Sequence, residues 1–333
     1  MLSVGVIGYG YWGPNIVRNF NTVAGSKVTQ VCDKNTQTLA HVSQDYPHMT
    51  VTEDVDALLN DPEIDVVAVV TPVTTHFELA KRALQNGKHV FVEKPFTQTP
   101  SQAEELINLA EQKDLKILVD HTFLFSGSVV KIKELIDAGE IGEIYYYDSS
   151  RINLGLFQSD VNVIWDLAPH DFSIMLHLLP ERPDAIRVFS KSHVNRMEDV
   201  AHILVYFTNN LMAHFNVNWL SPVKIRSTMI GGDKKMLLWN DIMADEKIRV
   251  YDKGVDFKSK EDIHDFLINY RTGDMWAPKI DQREALFMEI SHFVECIVEN
   301  KHNLSDGNSG LDVVRLLYAC ERSIKNNGGL VVL

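Results

Sequence analysis

The sequence predicts an α/β protein: a doubly wound parallel sheet, then a second α/β domain with a large, mainly antiparallel open sheet. Three observations carry this expectation. Over the first 120 residues, short apolar runs rich in valine alternate with stretches of helical periodicity. The runs lack strict polar alternation, as expected for strands covered by helices on both faces. After about residue 122 the rhythm changes to partly alternating runs divided by short polar or glycine turns. The expected division is therefore residues 1–122 and 123–333, with the C-terminal helix able to pack back on the first domain.

In chain order, Leu2–Ile7, Lys27–Cys32, Asp65–Val70, Lys88–Val92 and Lys116–Val119 read as parallel strands. Helical stretches lie between them near Pro14–Val23, Thr36–Tyr46, Thr75–Asn86 and Ser101–Gln112. Gly87 is placed as a C-cap, and Pro100 opens a helix near its first turn. Beyond the change of rhythm come a helix at Val129–Ala138, a strand at Glu143–Ile152 and a helix at Ile164–Leu179. The runs Ala201–Phe207, Met212–Trp219, Ile225–Ile230 and Lys235–Trp239 then supply the antiparallel sheet, and helices near 282–300 and 310–326 close the chain.

Composition narrows the function classes. The 333 residues carry a net charge of −13, which argues against a nucleic-acid partner. Hydrophobic residues make up 45% and charged residues 23%, the proportions of an ordinary globular protein. No apolar run reaches the roughly 18 residues of a membrane span. Cys32, Cys296 and Cys320 are isolated, without metal-like spacing. A strand pattern beginning at Leu2 leaves no room for a signal peptide, so a reducing, cytoplasmic setting is expected.

The strongest motif is Gly8-Tyr9-Gly10-Tyr11-Trp12-Gly13, set between a strand and a helix. In that context Gly8 permits a tight turn, Gly10 lets a pyrophosphate approach the backbone, and Gly13 allows close helix–strand packing. The helix N-terminus adds unpaired N–H groups and a partial positive charge. Asp33 ends the second strand twenty residues beyond Gly13, where an acid accepts hydrogen bonds from ribose hydroxyls and repels a 2′-phosphate. These features describe a Rossmann domain that prefers NAD over NADP, with Tyr11 and Trp12 on its phosphate loop. Thr71-Pro72-Val73-Thr74-Thr75-His76 follows another strand at the same ligand edge, with Thr74 or Thr75 as a helix cap. Thr71, Pro72 and His76 are candidate cofactor contacts, and helix-start packing is the other reading of His76.

Glu93-Lys94-Pro95 follows a further strand and would aim Lys94 into the cleft; an exposed turn lysine is the bland alternative. In Trp165-Asp166-Leu167-Ala168-Pro169-His170-Asp171, a helix would place Asp166 and His170 on one face, with Pro169 in its first turn. An acid and an imidazole so placed suit proton transfer. They would also serve as metal ligands, but no third and fourth ligand occurs at suggestive spacing, so no metal is expected.

In order, the glycine motif, Asp33, Thr71-Pro72 with His76, Glu93-Lys94-Pro95 and Asp166 with His170 resemble the glucose–fructose oxidoreductase and inositol dehydrogenase family (Gfo/Idh/MocA), over essentially the whole chain. The resemblance implies NAD-dependent oxidoreduction of a sugar-like alcohol. It implies that Lys94, Asp166 and His170 meet at the nicotinamide, that the Lys94–Pro95 peptide is cis, and that subunits associate through the open sheet as a dimer or tetramer. Residues 10–15, 151–155 and 165–171 resemble the nucleotide-sugar branch, UDP-N-acetylglucosamine 3-dehydrogenases in particular. Arg151, Asn153, Asp166, His170 and Arg226 are then candidate substrate contacts, surface placement being the alternative for Arg151 and Asn153. A ketosugar reductase, an inositol or polyol dehydrogenase, and a non-catalytic dinucleotide sensor are the competing readings.

Overall fold

Valine-rich strands too apolar to face water bury themselves by pairing in parallel beneath helices. The computed structural model, which describes residues 1–155, 157, 161–194, 196–256 and 269–333, shows this solution in the first of two compact units. The first unit comprises Met1–Ser126 with Arg283–Arg315; the second comprises Gly127–Gln282 with Leu316–Leu333. A single cut at residue 122 therefore does not describe the chain, because a C-terminal segment returns to the first unit. Among the described residues the α-helices are α1 (Gly13–Thr22), α2 (Thr36–Asp45), α3 (Val55–Leu59), α4 (Val73–Gln85), α5 (Pro100–Gln112), α6 (Gly127–Asp137), α7 (Val163–Leu178), α8 (Ala285–Val298) and α9 (Gly307–Lys325).

In the first unit, β1 (Leu2–Ile7), β2 (Ser26–Cys32), β3 (Thr50–Thr52), β4 (Val66–Val69), β5 (His89–Val92) and β6 (Ile117–Val119) form a parallel sheet. Its order is β3-β2-β1-β4-β5-β6. The order reverses at β1, so the crevice beyond its carboxyl end is the topological switch point. β3 and α3 escaped the sequence reading because segments of three and five residues are too short to display a period. One sheet face buries Val4, Phe20 and Phe91 against Leu286, Ile290 and Phe293 of α8. The other buries Val67, Val90 and Val119 with Leu311 and Val314 of α9. The returning segment thus completes both layers of the Rossmann core.

The second unit is a nine-stranded mixed sheet built from β7 (Ile144–Leu154), β8 (Pro183–Lys191), β9 (Val200–Phe207), β10 (Met212–Asn218), β11 (Leu220–Gly232), β12 (Met236–Asn240) and β13 (Ile248–Tyr251), with β16 (Met275–Trp276) and β17 (Val331–Val332) at its edges. Strands β14 (Gly254–Asp256) and β15 (Asn269–Arg271) pair separately. All neighbours are antiparallel except β7 and β10, which run parallel. Alternation puts Tyr147, Ile203, Phe215 and Ile230 on a buried face, where Phe172 of α7 meets Phe215 edge-on at 5.1 Å. The opposite face carries His202, Met212, His214 and Ile225 and is partly exposed.

The buried face also holds an ion pair. Arg151 and Asp171 are 3% and 2% exposed, and Arg151 donates to Asp171 through Nε at 2.7 Å and through a terminal nitrogen at 3.1 Å. Burial opposes the Arg151 charge, but Asp171 outweighs it and holds the guanidinium above its ordinary pKa. Replacing Asp171 with Ala strands a buried cation and should cost about 3–5 kcal/mol in urea unfolding, whereas the double change Arg151→Met with Asp171→Leu should recover most of that loss. Equal destabilisation by the single and double variants would show that the pair is not the source of the effect.

Candidate active site

The chemistry of the first unit gathers where the parallel strands end. After β1, Gly8 adopts φ +97°, and a Cβ there would lie 2.3 Å from the Val70 carbonyl oxygen. A Cβ on Gly13 would lie 2.9 Å from the Gly8 carbonyl oxygen, so that glycine permits the close packing of turn and helix. Gly10 differs, since a Cβ on it would meet nothing within 4 Å. No packing demands a glycine there, and the open side suits a ligand brought against the backbone. Helix α1 begins without a side-chain cap and without an acid in its first turn, which suits its N-terminus to a phosphate. Tyr11 and Trp12 project from this loop, 84% and 46% exposed, with their rings edge-to-face. These residues fit a dinucleotide.

Asp33, just beyond β2, does more than the sequence suggested. Its Oδ2 accepts the Tyr9 N–H at 2.7 Å and its Oδ1 accepts the Asn35 N–H at 2.8 Å. The carboxylate thereby pins the glycine loop, and a carboxylate retains further lone pairs for ribose hydroxyls.

His76 is buried in α4, and its ring nitrogens lie 2.8 Å from the Pro95 carbonyl oxygen and 2.7 Å from the Thr71 carbonyl oxygen. Burial lowers its pKa, although both carbonyls favour the protonated form. Its place is a brace between the turns after β4 and β5, with backbone partners on both nitrogens. Thr74 and Thr75 are not caps. The helix starts two residues earlier than expected, its N-cap is Pro72, and the Thr75 hydroxyl donates back to the Pro72 carbonyl at 2.8 Å while lying 2.7 Å from the Thr71 hydroxyl. The Lys94–Pro95 peptide is cis, as expected. Lys94 is half-buried, and its N–H donates to Glu93 Oε2 at 3.2 Å.

In the second unit, Asn162 caps α7 by accepting the N–H groups of Ile164 and Trp165, both at 3.1 Å. The helix therefore starts at Val163, and Pro169 falls in its second turn rather than its first. Asp166 and His170 lie four residues apart on that helix. The Trp219 indole N–H donates to Asp166 Oδ2 at 3.1 Å, an orienting contact that the sequence did not reveal because fifty residues intervene. Arg151 is in the core pairing with Asp171 and not at the surface, so the structure supplies it with a protein counter-ion where a substrate contact was expected. Arg226 sits opposite Arg151 in the sheet register, 3.4 Å from Asp241; burial and then the Arg151 charge lower its pKa. Asn153 is partly buried near the end of β7. Among the described residues no three His, Cys, Asp or Glu side chains are grouped to hold a metal ion, and no helix is long and apolar enough to cross a membrane.

A parallel six-stranded sheet with a glycine loop, a β2 acid and a lysine at its carboxyl edge defines a dinucleotide-binding oxidoreductase. Residues 2–121 match the family model described as oxidoreductase family, NAD-binding Rossmann fold, and residues 129–238 match the GFO/IDH/MocA C-terminal domain. The chain belongs to the Gfo/Idh/MocA oxidoreductases and binds NAD. It is 27% identical over 324 residues to UDP-N-acetylglucosamine 3-dehydrogenase of Acidithiobacillus ferrooxidans, spanning 94% of each chain. The solved structure of that enzyme has a TM-score of 0.82 at 26% identity, covering 97% of this chain and 99% of the other. The scyllo-inositol 2-dehydrogenase (NAD(+)) of Bacillus subtilis is 26% identical over 315 residues, 90% of this chain and 86% of its own. The uncharacterised oxidoreductase YdgJ of Escherichia coli is 36% identical over 193 residues, and the match spans about half (54%) of its length.

The two glycines separate packing from binding. Gly8→Ala should destabilise the fold, because of both the clash and the positive φ, whereas Gly10→Ala should melt like the parent yet bind NADH more weakly. Differential scanning calorimetry and fluorescence titration would read the two effects, and normal NADH affinity in Gly10→Ala would refute the placement of the pyrophosphate. Asp33→Ala should weaken NAD binding by roughly 1.5–3 kcal/mol and shift preference toward NADP; a parent protein that prefers NADP in direct titration would contradict this role.

Proposed function

We propose that the protein is an NAD-dependent dehydrogenase of a nucleotide sugar, oxidising the 3-hydroxyl of a UDP-N-acetylhexosamine such as UDP-N-acetylglucosamine. The observation that carries the reading is the likeness to the Acidithiobacillus 3-dehydrogenase over 94% of each chain, in a sequence that carries Lys94, Asp166 and His170. When bound, NAD⁺ supplies the hydride acceptor. Lys94, set at the carboxyl end of β5, hydrogen-bonds the substrate oxygen as its negative charge develops. His170 takes the hydroxyl proton, and Asp166, held by the Trp219 indole, orients and charge-balances the imidazole. The nucleotide provides remote binding energy that orients the reacting carbinol.

The inositol dehydrogenase likeness supports a second reading, a polyol dehydrogenase, with ketosugar reduction as the reverse direction of the same chemistry. The partly exposed face of the second sheet, with His202, Met212, His214 and Ile225, is the surface we assign to a second copy of the chain, as the family resemblance suggests. An aspartate or glutamate carboxylate in place of Ile225 should lower the mass found by sedimentation.

Oxidation of an alcohol by NAD⁺ is uphill near neutral pH, so the assay couples the product to an aminotransferase with glutamate and detects the 3-amino sugar by mass. His170→Ala and Lys94→Met should each slow that reaction, by roughly 10²–10⁴-fold for the histidine, while NADH binding stays nearly intact. Turnover of inositol or a free sugar, without turnover of UDP-N-acetylglucosamine, would move the protein to the second reading. Unchanged turnover in His170→Ala would pass the proton to Lys94.

A further inference from the structure

Behind Lys94 the first unit buries an unusual set of polar groups. Glu93 follows β5, Asp120 and His121 follow β6, and Glu289 reaches in from α8. Their exposures are 7%, 4%, 1% and 0%. Glu93 Oε1, both oxygens of Glu289 and both ring nitrogens of His121 have no hydrogen-bond partner. Asp120 Oδ1 accepts the Thr122 hydroxyl, and Glu93 Oε2 accepts the Lys94 N–H at 3.2 Å. The carboxyls are not grouped to hold a metal ion.

Three carboxylates buried together cannot all remain ionised. Burial, then Asp120, raises Glu289 well above the ordinary carboxylic range, and Glu93 adds to the shift. Burial and then Asp120 likewise raise Glu93, with Lys94 opposing. A proton held on Glu289 or Glu93 gives each a donor toward Asp120, a partner for buried oxygens that the Lys94 N–H and the Thr122 hydroxyl satisfy only in part. Burial, then the Lys94 charge, holds His121 down at about 3, so the imidazole is neutral and does not supply that proton. His76, which the Lys94 charge also reaches, is lowered first by burial.

We propose that Glu93, Asp120 and Glu289 form a proton-sharing cluster that releases a proton when a positively charged nicotinamide binds beside Lys94 and keeps it when the neutral reduced ring binds. The proposal rests on the reading above that the nicotinamide comes to Lys94. A positive charge brought near raised carboxyls lowers their pKa, so at a pH within the range in which the cluster titrates the oxidised cofactor expels part of a proton. The phosphates are common to both cofactor forms, and their difference isolates the ring charge. By linkage, the affinity for NAD⁺ relative to NADH rises with pH through the range in which the cluster titrates.

The test is calorimetric titration of the whole protein with NAD⁺ and, separately, NADH, in two buffers of different ionisation enthalpy, which counts protons without any turnover. NAD⁺ should release roughly 0.3–0.7 proton more than NADH. Glu289→Gln should remove most of that excess while leaving NADH affinity within about threefold of the parent. Asp120→Asn serves as the second variant if the first does not fold. Equal proton counts for two cofactor forms that both bind would overturn the cluster and leave the oxidoreductase reading intact. An excess that survives in every folded cluster variant would also overturn it. Failure of either form to bind would overturn the underlying reading and the proposal with it.

Discussion

A parallel sheet covered on both faces leaves only the ends of its strands for polar chemistry. In the first unit, valine-rich strands pack against α8 on one side and against α9 on the other. The candidate site groups therefore gather in the turns at the carboxyl edge, with the glycine loop after β1, Asp33 after β2, Thr71 after β4, Glu93 and Lys94 after β5, and Asp120 and His121 after β6, while Glu289 reaches in from α8. Those turns are themselves half-buried, so their backbone groups need internal partners. Asp33 supplies one by accepting the Tyr9 N–H, and His76 supplies another by bracing two carbonyls. Cofactor geometry depends on side chains whose first duty is to the backbone.

The second unit solves a different problem. Its sheet is helix-covered on one face, and that face carries both an apolar core around Phe172 and Phe215 and the Arg151–Asp171 pair. Such a pair adds little net stability over apolar packing. It does hold β7 to α7, the helix that presents Asp166 and His170. The Trp219 indole, itself buried, ties Asp166 to the junction of β10 and β11. The Arg151–Asp171 contact is buried and the Trp219–Asp166 contact partly so.

Membership of the family carries the NAD-binding oxidoreductase function, while a fold does not by itself specify a substrate. Full-length likeness to a nucleotide-sugar enzyme and to an inositol enzyme, at 27% and 26% identity, shows how little the scaffold itself discriminates. In the second unit Arg151 is paired with Asp171 and Arg226 lies close to Asp241, so both guanidinium groups have protein counter-ions.

Local sequence determined the parallel strands, the glycine loop, Asp33 and the four-residue spacing of Asp166 and His170. Each depends on periodicity or spacing within a few residues, which the chain carries before it folds. Tertiary structure decided the rest. The return of residues 283–315 to the first unit, the Trp219 contact to Asp166 and the pairing of Arg151 with Asp171 join residues twenty to some three hundred positions apart. Glu289 lies in the expected helix near 282–300, and only the fold brings it, fully buried, toward Asp120 and Glu93. A side chain's partners, and hence whether it binds, braces or holds a proton, are set by which segments the core brings together, and no pattern along a single segment encodes that.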